Sequence, residues 1–126
     1  MKRFLFVLAI ILSASCSYHQ ENQDIDPLVG MWHFASVVCY EDGERVEHIR
    51  SESEYILFEE DQTGFMDSTP ILWERDHMFL KITDQMTDEF SWCEIKALNE
   101  TTLILYYITE LENYTWERFM TYKKIK

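Results

Sequence analysis

Glycine and proline are scarce: the 126-residue chain holds 3 glycines and 2 prolines. So few of either exclude a long flexible linker. Positive charge is also in short supply, with 11 Lys and Arg against 23 Asp and Glu, a formal net charge of −12. Nucleic-acid binding rests on neutralising phosphates with Lys and Arg, so this balance excludes nucleic acid as a partner. It also argues against the domain itself docking on an anionic lipid surface, and it serves solubility. No apolar run approaches the roughly 20 residues that span a bilayer.

Catalytic signatures are missing too. There is no Gly-x-Ser-x-Gly, no phosphate-binding glycine loop and no Cys-x-x-Cys. His19, His33, His48 and His77 do not stand at metal-ligand spacing from one another or from cysteine. Asp84, Asp88 and Glu89 lack the pattern of a calcium loop and read as a solvated turn. The expectation is therefore a protein that is not an enzyme and takes no cofactor and no metal.

What is present begins with an address. Lys2 and Arg3 precede an unbroken apolar run over residues 4–12, followed by Ser13-Ala14-Ser15-Cys16. A positive start, a short apolar stretch and small residues describe a secretory signal peptide. Two cleavage readings stand: before Cys16, or after Ala14 or Ser15 to leave a soluble periplasmic protein. Residues 17–26 (SYHQENQDID) are polar, without apolar period, and read as an acidic tether.

The remainder reads as one domain over residues 28–126. Hydrophobic residues make up 47% and aromatics 15%, enough to build a core and too many for disorder. Short alternating segments fall at 31–40, 45–50, 54–60, 65–68, 71–75, 78–83, 90–98, 102–109 and 114–124. Turn residues separate them, among them Asp42-Gly43 and Gln62-Thr63-Gly64, while Pro70 suits a strand start. No long stretch has helical period. The expected fold is all-β: a small antiparallel up-and-down barrel of eight or nine strands, closed so that no edge is left exposed.

Alternation places Trp32, Phe34, Val38, Ile56, Phe58, Phe65, Ile71, Trp73, Leu80, Ile82, Ile95, Leu103, Leu105, Tyr107 and Tyr122 on one face. Such bulk suggests a largely filled interior, and leaves room only near an open end for a pocket lined by Tyr55, Trp73, Trp92 or Tyr107. Exposed aromatics such as Phe79 or Tyr106 would instead mark a protein contact.

Two resemblances carry these readings further. The segment from Leu12 to Cys16 resembles the lipobox of bacterial lipoproteins, with Ser13 where the commonest box has leucine. It implies a signal peptide of residues 1–15, a diacylated Cys16, a tether over 16–27, and residence in the bacterial envelope, at the outer membrane. Membrane contact would then run through the lipid alone. Gly30-Met31-Trp32 at the start of the first strand resembles the opening motif of lipocalins and lipocalin-like envelope lipoproteins. The later segments 55–64, 92–98, 101–105 and 119–125 follow in matching order. That likeness implies a calycin-type barrel, a small hydrophobic ligand, and Arg118 lying over Trp32 to close one barrel end. The other reading is a side-chain-filled barrel that holds an envelope protein partner.

Cys39 and Cys93 remain as an even pair in an oxidising compartment. Strand parity puts them on opposite faces, against a disulfide, unless a bulge intervenes.

Overall fold

Short turns set the strand boundaries. In the computed structural model, residues 25–47 and 53–125 are described. Nine strands follow one another: β1 (Gly30–Glu41), β2 (Glu44–Val46), β3 (Tyr55–Phe58), β4 (Thr63–Met66), β5 (Thr69–Asp76), β6 (Phe79–Asp84), β7 (Phe90–Leu98), β8 (Thr102–Leu111) and β9 (Tyr114–Lys124). Asp42 and Gly43 both have positive φ, 50° and 85°. That is the condition for the tight hairpin joining Glu41 to its partner Glu44. Asp67 and His77 take positive φ in the turns joining β4 to β5 and β5 to β6, and Pro70 lies second in β5, at its start.

Every pairing is antiparallel and sequential, and β9 returns to pair along β1 from Trp32 to Glu41. Eight strands, β1 and β3–β9, therefore form a closed up-and-down barrel. β2 adds to the far end of β1, and β3 pairs with its first residues. Closure satisfies both edges of the sheet. No helix among the described residues is long and apolar enough to cross a membrane.

Inside, Trp32, Ile56, Phe58, Ile71, Leu80, Ile95, Leu103, Leu105 and Tyr122 are buried and share one core. Burial of each large side chain stabilises by about 1.5–3 kcal/mol. Two members of the expected face point elsewhere. A bulge between Phe34 and Ser36 resets the alternation of β1, so Val37, not Val38, packs on the core. In β4 the inward positions are Gly64 and Met66, and Phe65 is exposed.

Candidate ligand-binding site

The two barrel ends differ. At one, residues 25–29 cross beneath the strands and plug the barrel with Leu28, which is fully buried with Trp32. The Trp32 indole N–H donates to the Leu28 carbonyl at 2.9 Å. Asp26 holds the crossing in place, accepting from the Leu28 N–H at 2.9 Å and pairing with Arg75 at 2.5 Å. Residues 25–27, assigned above to the tether, are thus docked on the barrel.

Gly30 opens β1 and Trp32 is its third residue, and the cation over the indole is not Arg118. Lys124 is the register partner of Trp32, and its Nζ lies 5.0 Å from the ring centroid while donating to the Val29 carbonyl at 2.9 Å. Arg118 pairs instead with Cys39, seven residues further along β1, and lies over Tyr107 at 5.0 Å. The reason is register: alternation puts Arg118 on the right face, but pairing position decides which ring it meets.

Arg118 and Tyr107 belong to an upper interior layer that also contains Cys39 and Cys93. Neither cysteine is in a disulfide, and both are buried. The β1 bulge turns Cys39 inward, so parity does not separate the pair. Distance does: β9 and β8 stand between β1 and β7. Three strand spacings are about 14 Å of barrel wall, against the roughly 7 Å between Cα atoms that a disulfide tolerates. Burial pushes the Cys93 thiol up to about 12, offset in part by its hydrogen bond with Tyr107. Burial first, then Cys93, drives the Tyr107 hydroxyl well above its ordinary value. A thiol held protonated is no nucleophile near neutral pH.

The four aromatic residues expected to line a pocket do not converge. Tyr55 faces outward, stacked on His33 at 4.8 Å. Trp92 is exposed on the outer face of β7. Trp73 is buried, its indole donating to the Thr63 and Glu59 carbonyls, and stacks edge-on against Phe58. Tyr107 alone looks into the upper barrel. Aromatic identity marked these positions, yet the pleat sends alternate residues to opposite faces.

A concavity forms elsewhere, at the end opposite Leu28. It measures about 590 Å³, within the range of small-molecule sites. Its apolar floor comes from Met66, Ile71 and Ile82, its walls from Ser53, Asp67, Ser68, Thr69, Asp84, Glu89 and Ser91, and Phe90 borders it from the outer face of β7. Ile71 and Ile82 are themselves core residues, so the floor of this cup is the top of the barrel core. Asp67 Oδ1 accepts from the Glu54 and Tyr55 N–H groups at 3.0 and 3.1 Å, which fixes that wall. Asp84 Oδ1 accepts from the Met86 N–H at 2.8 Å. Asp84 and Glu89 entered the sequence reading only as turn residues. The apolar floor left no sequence signal, because floor and core share the same alternation.

The outer wall of β4–β7 carries a second feature. Phe65, Leu72, Phe79, Phe90 and Trp92 each stay between 43% and 58% exposed. Leu72 pairs with Thr83 and Thr83 with Phe90, while Trp92 pairs with Lys81, so these side chains share one surface. Tyr106 lies on a different part of the wall, half-buried against Phe119 at 4.7 Å. Among the described residues, no group of three or more His, Cys, Asp or Glu is placed to hold a metal ion. Cys16 lies outside the described residues.

Comparison with family models, with curated proteins and with solved structures finds no match.

Proposed function

We propose that this protein is a lipocalin-like lipoprotein of the bacterial envelope whose barrel binds a small, largely apolar molecule without catalysis. The observation that carries the reading is the cup of about 590 Å³ with a floor of Met66, Ile71 and Ile82. One end of the barrel is plugged by Leu28 and Trp32; the other presents core side chains to a cavity of ligand size. The plugged end with its Gly30-Met31-Trp32 start supports the lipocalin likeness.

The anchor rests on residues 1–16, and the proposed site is the outer membrane. Metabolic labelling with a palmitate analogue tests it: the wild type takes up label and Cys16→Ala does not. Label on both, or on neither, removes the lipid anchor.

Native mass spectrometry of the full chain, taken from its envelope into lipid nanodiscs, tests the ligand. A bound small molecule that leaves on unfolding is expected, and Ser91→Phe, which fills the cup, should abolish it. Empty wild-type protein overturns the reading.

The exposed aromatic wall of β4–β7 favours a second reading, an envelope interaction module that holds a partner protein. Contiguous exposed apolar surface of this kind marks interaction sites. A partner cross-linked to the wild type and lost in Trp92→Ser with Phe79→Ser would support it.

A further inference from the structure

The cup has walls of one charge. Among the described residues, Asp67, Asp84 and Glu89 line it with no Lys or Arg beside them, and four hydroxyl-bearing residues complete the rim. Among the described residues, no basic side chain forms an ion pair with any of these three carboxylates. Lys81, on β6, points outward and lies over the Phe90 ring at 4.4 Å. An apolar floor beneath a carboxylate rim complements a molecule with an apolar body and a positive head.

We infer that the ligand class of this cup is an organic cation with an apolar tail: an alkyl- or arylalkyl-ammonium that rests its tail on Ile71, Ile82 and Met66 and its ammonium among Asp67, Asp84 and Glu89. The inference rests on the binding reading above and specifies its ligand. A neutral apolar molecule would use the floor and leave the carboxylates solvated. A fatty carboxylate would bring like charge to the rim. The chain's net charge of −12 acts in the same direction, raising the local concentration of cations at the mouth.

The test uses three probes with the same tail, octylammonium, 1-octanol and octanoate. Each is added to the full chain in zwitterionic-lipid nanodiscs, and the melting temperature is read by tryptophan fluorescence. A ligand that binds only the folded state raises that temperature in proportion to its affinity. Octylammonium should give a set shift at about one-tenth the 1-octanol concentration, the size expected for partly exposed ion pairs acting together. Octanoate should need more than 1-octanol. In Asp84→Asn/Glu89→Gln the gap between octylammonium and 1-octanol should close while the 1-octanol shift persists. Should that variant fail to fold, Ser68→Lys, which places a cation on the rim, should erase the octylammonium advantage. Equal shifts from octylammonium and 1-octanol in the wild type overturn the cation inference and leave the binding cup standing. No shift from any probe overturns both.

Discussion

Replacing Gly64 by alanine would place a methyl carbon 1.9 Å from the Leu57 carbonyl oxygen and 3.0 Å from its carbonyl carbon. Both are backbone atoms of the neighbouring strand, so no side-chain rotation relieves the contact. Gly64 pairs with Phe58 and Ile71, hence β3 must move away from β4 by more than an ångström or the register must break. Overpacking of well-packed sites costs about 1–3 kcal/mol. A clash against backbone, which relaxes least, belongs at about 3 kcal/mol, a fall in melting temperature of very roughly 12–24 °C for a domain of this size. Gly43→Ala is the control. Nothing lies within 4 Å of its added carbon, and only its φ of 85° resists substitution, which costs about 1–2 kcal/mol. Urea denaturation of both variants, with equal m-values, gives the comparison. A Gly64→Ala loss below that of Gly43→Ala would refute the close-approach argument.

Three further outcomes are expected. In double-mutant cycles read by urea denaturation, Lys124→Met and Trp32→Phe should couple by about 0.5–1 kcal/mol. Arg118→Met and Trp32→Phe should add within about 0.5 kcal/mol, and coupling in that second cycle would restore Arg118 to the closed end. Cys39 and Cys93 should both resist a thiol reagent at pH 8 in the folded protein and both react once it unfolds; prompt labelling, or a disulfide found by mass, contradicts the buried-thiol layer. Stability should be fully present below pH 9 and fall through the range up to about pH 12. Burial pushes Cys93 from 9.0, and Tyr106 from 10.0, up to about 12, so the unfolded chain loses those protons first. For Tyr106, burial is joined by its hydrogen bond to Glu117 at 2.5 Å. A stability curve flat from pH 9 to 11.5 would contradict both shifts.

The strands were legible because period-two alternation and turn residues are local signals. β7 and β9 occupy residues 90–98 and 114–124 in both reading and structure. What stayed hidden depends on register. The Phe34/Ser36 bulge leaves no mark on composition, yet it turns Cys39 inward and exchanges Val38 for Val37. Lys124 and Arg118 are both cations on β9, and only pairing to β1 decides which of them meets Trp32. The pocket was misplaced for a related reason. Tyr55 and Trp92 are large aromatic residues, but each falls on the outward phase of its strand.

Unequal strand length explains why the cup sits where it does. The β8–β9 hairpin runs as a ladder out to the pair Leu111 and Tyr114, and β1 continues to Glu41 beside it. On the opposite side β4 has four residues, and its ladder with β5 ends at Met66 and Thr69, two residues above the core position Ile71. The barrel wall is therefore high on one side and low on the other. At the low side only Thr69 and Pro70 lie beyond Ile71 and only Thr83 and Asp84 beyond Ile82, and the chain turns at Asp67 and at residues 85–89, where polar side chains face water. An apolar floor ringed by carboxylates follows directly: the floor is where core alternation stops, and the rim is where turn chemistry begins. Strand length thus determines the size of the cup, while the acidic turns set the charge of what it can hold.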